Sequence, residues 1–293
     1  MQLFDFHADT PHKMYRNNLS FTSPALHINQ ATLSHFSRVW QVFAFWSDKA
    51  NTDEEAWAHL WPSYQCFCST TFPSHLTPIL SVEDARLLCG RLERLDELKG
   101  AGFRMIGLFW SGDTSLGSAH DSLLDRGLTS FGVDVVKWCF ENDVYVDVAH
   151  ASHHSTKQIL DLAEKANCPV MCSHSAFDAV WHHSRNITDD EAKRIAMLGG
   201  VIGLDFVPSH IGGDSISDLI KHITHSQHLH VFSSLCLGSD FDGTDQLPAP
   251  IQSQGDLPFF YTAMRLHGSS QEEIDGLFYL HAKQKLKSFS FPV

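Results

Sequence analysis

The chain has 293 residues, 43% hydrophobic and 19% charged, which is ample apolar material for a large core and far too much for a disordered chain. A formal net charge of −13 argues against a nucleic-acid partner, because phosphate binding relies on an excess of Lys and Arg. The seven cysteines are scattered, without a CxxC pair, and read as reduced thiols rather than as a disulfide framework or a zinc knuckle.

Read from the N-terminus, the sequence opens without a basic start and a long apolar run, and no later stretch approaches about 18 consecutive apolar residues. The expectation is a cytoplasmic protein with no membrane association. Strand patterns are expected at 2–6 and 38–45, followed by a helix at 53–68 and a strand at 78–83. A helix at 84–98, a strand at 103–109 and a helix at 130–142 come next, the last with Ser130 as N-cap. The strand at 144–148 leads to a helix at 155–166, and the strand at 169–172 to a helix at 188–198. That last helix opens on a Thr188–Glu191 capping box and stops at Gly199 and Gly200. Strands at 200–205 and 233–239 flank a helix at 214–225, and a helix at 271–286 closes the series. Pro248, Pro250 and Pro258 mark 244–268 as a long loop after the eighth strand. Eight strands alternating with helices fit a single (β/α)8 TIM-type barrel spanning 1–293, although a doubly wound open sheet shares the pattern.

Residues able to bind metal fall where these strands end. His7 and Asp9 follow the first strand, Glu83 closes the third, His150 and His174 follow the fifth and sixth, and Asp240 follows the eighth. In a parallel barrel those ends share one face, so residues distant in sequence converge on one mouth. Imidazoles and carboxylates without a thiolate suit zinc, with manganese or cobalt as alternatives, and leave positions open for water. A carboxylate such as Glu83 can bridge two ions roughly 3.5–4 Å apart. Each residue also has an ordinary structural reading. His7-Ala-Asp9 alone is a common local pair, Glu83-Asp84 complements a helix dipole, His150 and His174 fit as buried histidines, and Arg185 can pair with Asp189 or Asp190 on the surface. Joint placement favours the metal reading.

Five ordered motifs carry a resemblance to a known family. His7-Ala-Asp9, Leu80-Ser-Val-Glu83, Asp147-Val-Ala-His150, Ser173-His174-Ser175 followed by Arg185-Asn186, and Gly238-Ser-Asp240-Phe-Asp242-Gly243 resemble the motifs of the membrane dipeptidase (renal dipeptidase) family of zinc peptidases. The resemblance implies a metallo-dependent hydrolase barrel in which His7, Asp9 and Glu83 hold one Zn2+ and Glu83, His150 and His174 a second. It implies that Arg185 binds the substrate carboxylate and that Asp240 manages protons and the free amine. The implied reaction is hydrolysis of dipeptides by a metal-bridging hydroxide, often with a D-residue accepted at the C-terminal position. Where animal members place a histidine that contacts the reacting carbonyl, this chain has Trp110, a substrate-binding candidate. Hydrolysis of another small amide or lactam is the competing function, and an inactive ligand-binding relative a third. The expected partners are a dipeptide substrate and, at most, a second copy of the chain in a homodimer.

Overall fold

Eight short runs rich in β-branched and aromatic residues pair in parallel, each with its sequence neighbours, and the last returns to the first. The computed structural model describes residues 1–48 and 51–286. Its closed barrel runs β1 (Gln2–Asp5), β2 (Arg38–Phe45), β3 (Leu76–Val82), β4 (Phe103–Gly107), β5 (Tyr145–Asp147), β6 (Val170–Ser175), β7 (Val201–Leu204) and β8 (Leu235–Leu237). Closure rests on Asp5 opposite Leu237. The expected barrel is therefore found, and every expected strand overlaps one of its staves.

Helices accompany the strands: α1 (Thr10–Arg16), α2 (Asp53–Cys68), α3 (Arg94–Gly100), α4 (Ser130–Glu141), α5 (His153–Ala166), α6 (Asp189–Met197), α7 (Pro208–Ile211), α8 (Ile216–His228), α9 (Leu257–Leu266), α10 (Gln271–Asp275) and α11 (His281–Lys285). Among the described residues no helix is long and apolar enough to cross a membrane. The Thr188–Glu191 capping box is present at α6, and a second box, Thr52–Glu55, starts α2. Three expectations need correction. The helix expected at 84–98 is a 3-10 turn, Ala85–Leu88, followed by α3, because Asp84, Cys89 and Gly90 all take left-handed φ and break the run. The cap of α4 is Thr129, whose side chain accepts the Gly132 N–H, not Ser130. The loop expected over 244–268 contains α9, where Pro258 sits in the first turn, a position that needs no amide donor.

Packing divides into two layers. Between sheet and helices lies the large core that includes Leu3, Phe43, Phe103, Val136, Ile159 and Phe260. Inside the barrel, alternate strand positions project Phe4, Phe6, Val42, Ile79, Met105, Tyr145, Met171, Val201 and Cys236 into a second cluster. Ala282 and Leu286 complete it. The stretch α10, a π-turn over Gly276–Leu280, and α11 thus caps the N-terminal ends of the strands, and His281 Nδ1 lies 2.8 Å from the carbonyl of Leu235, the first residue of β8. The C-terminal ends are left for polar residues.

Candidate metal centre

Backbone turns at the strand ends fix where the polar side chains go. Asp147, buried at the end of β5, accepts the N–H of Ser173 at 2.8 Å and of Ala149 at 3.0 Å. Ala149 precedes His150 and Ser173 precedes His174, so one carboxylate locks both histidine loops. Asp5, fully buried at the end of β1, repeats the device across the closure: it accepts Ser239 N–H at 2.9 Å and Ser239 Oγ–H at 2.6 Å, just before Asp240. Asp242 ties the β8 loop to β1's, accepting Thr10 Oγ–H at 2.7 Å and His27 N–H at 2.7 Å. His150, Asp240 and Asp242 hold φ of 65°, 58° and 67°, a left-handed conformation that costs free energy in a residue with a Cβ and persists only where surroundings enforce it.

The six metal-ligand candidates meet at this mouth, in three overlapping groups: His7, Asp9 and Glu83; Glu83, His150 and His174; and His7, His174 and Asp240. Glu83 stands between the first two. Its Oε2 is 3.3 Å from His7 Nε2, while its Oε1 is 2.8 Å from His150 Nε2 and 3.8 Å from His174 Nε2. His7 Nε2 also lies 3.3 Å from Asp9 and 3.9 Å from Asp240. His174 Nδ1 is 2.9 Å from Ser173 Oγ, which turns Nε2 toward His150 Nε2, 3.0 Å away.

Electrostatics show a site short of positive charge. Burial, reinforced by Glu83, raises Asp9 to about 6, and burial with the neighbouring Asp9 pushes Asp240 well above the usual carboxylate range. Burial opposes a charged His7, yet Glu83 and Asp9 carry its pKa well above 6.5. Glu83 is held well below its ordinary value because His7 and His150 outweigh its burial. Burial, aided by Arg185, lowers His150 to about 4, and burial with His7 lowers His174 strongly, so both rings are neutral and offer lone pairs.

Two further observations fit a divalent ion beside Glu83. Among the described residues His7 Nε2 and Asp9 Oδ1 are buried without a hydrogen bond; the carboxylates close to His7 Nε2 are not aligned to accept one. A Cβ at Gly243 would collide with carboxylate oxygens of both Asp9 and Asp240, so any larger residue there would push these two carboxylates out of place. Carboxylate and imidazole donors without thiolate are ligands for zinc-like ions in catalytic sites.

The remaining candidates are also at the mouth. Arg185 is buried, donates Nη2–H to the His174 carbonyl at 3.2 Å, and leaves Nε without a partner. It does not pair with Asp189, which lies 2.7 Å from His225 instead. Trp110 lines the cavity over the cluster, together with Trp46 and His12. Sequence reasoning did not single out Asp5, Asp205, Trp46 or His12, and it quoted Asp147 only as part of a motif. Asp205 follows β7 and lies 2.7 Å from His210 Nδ1, which holds its carboxyl below the usual range despite complete burial. An acidic residue closing each of β1, β5 and β7 was the available signal.

A parallel eight-stranded barrel carrying histidines and carboxylates at its C-terminal mouth defines a protein of the metal-dependent hydrolase class. The chain belongs to the membrane dipeptidase family, peptidase family M19, whose model matches residues 68–281. It is 28% identical over 226 residues to an uncharacterized protein in the pqqA 5' region of Klebsiella pneumoniae, covering 73% of this chain and 82% of that one. It is 29% identical over 208 residues to an uncharacterized dipeptidase of Schizosaccharomyces pombe, covering 68% of this chain but only 49% of the yeast protein. The fold is shared with a metallo peptidase of Rhodobacter sphaeroides liganded with a phosphinate mimic of L-Ala-D-Ala, at TM-score 0.83, 21% identity and coverage of 98% and 99%. It is shared equally with dipeptidase AC, at TM-score 0.85, 20% identity and 98% of each chain.

Proposed function

We propose that this chain is a binuclear zinc dipeptidase. The observation that carries the reading is Glu83, whose two oxygens face separate ligand groups: His7 with Asp9 on one side, His150 with His174 on the other. These residues would hold two ions, zinc by the donor set, with manganese or cobalt as alternatives. Divalent ions so held polarise a carbonyl and lower the pKa of water from 15.7 toward about 7.

The chain's own residues supply recognition and proton handling. Arg185 is a buried guanidinium with no ion pair among the described residues, so a bound carboxylate supplies the missing anion and anchors the substrate's C-terminus. Asp240, grouped with His7 and His174, faces the free amine and carries a proton toward the leaving nitrogen. A site that engages both termini excludes longer peptides. The phosphinate mimic bound by the Rhodobacter sphaeroides protein supports dipeptides, including those with a C-terminal D-residue, as substrates.

The test is metal analysis with a panel of dipeptides of both stereochemistries. About two zinc equivalents per chain are expected, with turnover abolished by a chelator and restored by zinc. Asp240→Asn should keep its metal and lose about 10²–10⁴-fold in kcat. Chelator-insensitive turnover would refute the mechanism, and a zinc-loaded chain that cleaves a lactam but no dipeptide would overturn the substrate class.

A further inference from the structure

The cavity over the cluster holds about 140 Å3, well under the ~300–1,000 Å3 of pockets that take drug-sized ligands. Asp9, Glu83 and Asp240 form its polar side, and Arg185 is not among its lining residues. On the dipeptidase reading, on which this inference rests, the cavity therefore receives the amine-bearing residue of the substrate.

Its other side is aromatic. Trp46, just after β2, and Trp110, just after β4, meet edge to face with ring centroids 4.8 Å apart and planes at 61°. His12 of α1 lies against Trp46 at 4.6 Å and 72°, with Nδ1 3.2 Å from the Trp46 carbonyl oxygen. Behind His12 stands His59 of α2, at 6.1 Å, itself packed edge-on against Tyr15 of α1 at 5.0 Å. The indole N–H of Trp46 is buried and finds no acceptor among the described residues, so internal hydrogen bonding does not account for an indole at this position. Stiff two-torsion side chains backed by further rings cannot retreat as an aliphatic wall can.

We propose that Trp46 and Trp110, with His12 bracing Trp46, form an aromatic stop that restricts the N-terminal residue of the substrate to small side chains, so that the substrate class is dipeptides beginning with Gly, Ala or Ser. A larger side chain meets the indole edges before the scissile carbonyl reaches Glu83's neighbours. Trp46 and Trp110 thus determine specificity, while His12 is a positioning residue.

The experiment measures kcat/KM of the zinc-supplemented enzyme for Gly-Ala, Ala-Ala, Val-Ala, Leu-Ala and Phe-Ala. Wild type should fall about 100-fold from Ala-Ala to Leu-Ala, the scale of overpacking a closed site. In Trp46→Ala and Trp110→Ala the Leu-Ala to Ala-Ala ratio should rise about tenfold or more, and in Trp46→Phe by less. His12→Ala should shift the same ratio through KM for Leu-Ala, a change that loss of stability alone would not produce. A flat wild-type profile overturns the stop but leaves the dipeptidase reading intact. An unshifted ratio in zinc-loaded, folded Trp46→Phe and Trp110→Ala overturns it too, should Trp46→Ala not fold. Absence of turnover on every dipeptide overturns both.

Discussion

At the N-terminal end of the barrel the lumen is filled by Phe4, Val42, Ile79, Met105, Met171 and Val201 beneath Ala282 and Leu286. At the C-terminal end, a few residues further along the same strands, the inward positions are His7, Glu83, His150 and His174. The first region is satisfied by itself, because apolar groups need only one another. The second contains buried nitrogen and oxygen atoms without partners, raised carboxyl groups and left-handed backbone at His150 and Asp240. One barrel therefore separates a half that stabilises from a half that is costly until a cation and a substrate complete it.

That contrast can be broken at either end. The largest effect is expected at the mouth: Glu83→Gln should lose zinc and lower kcat by about 10³-fold or more, since it removes the one group shared by both ligand sets. Zinc at about a hundred times its Kd should stabilise wild type by about 2.7 kcal/mol, read as a rise in Tm, and leave the Tm of Glu83→Gln unmoved. Full zinc content in Glu83→Gln would contradict the bridging assignment. At the other end, Met105→Ala should cost about 2–5 kcal/mol in denaturant unfolding, with kcat of the folded enzyme within about twofold of wild type. A large fall in kcat there would show that the two halves are coupled. The smallest effect belongs to the outer shell: Thr188→Ala, which removes the α6 cap, should cost about 1 kcal/mol and ~2 °C in Tm with activity unaltered.

The same contrast explains what could be read in the sequence. Strand periodicity and polar residues at strand ends are strong signals, because a parallel barrel brings its strand ends to one face; the convergence of His7, Asp9, Glu83, His150, His174 and Asp240 was legible for that reason. Local backbone was less so. Asp84 and Cys89 take left-handed φ through tertiary enforcement, which composition does not announce, and Pro258 reads as a loop residue although a helix tolerates it in its first turn. The braces were hidden differently: Asp5 and Asp147 lie inside apolar strand runs, and their partners, Ser239 and Ser173, become visible as partners only when neighbouring staves are aligned. Trp46 and His12 are ordinary aromatic residues until α1 and the β2 loop are seen to share a cavity wall with Trp110.

The stopper formed by α10, the π-turn and α11 bears on how the protein is made. Strand β1 finds its second neighbour only in β8, and the lumen stays uncovered until residues 279–286 are in place. Ring closure therefore has to wait for the last strand, and any part of the sheet formed before then carries free edges that must be kept from other chains.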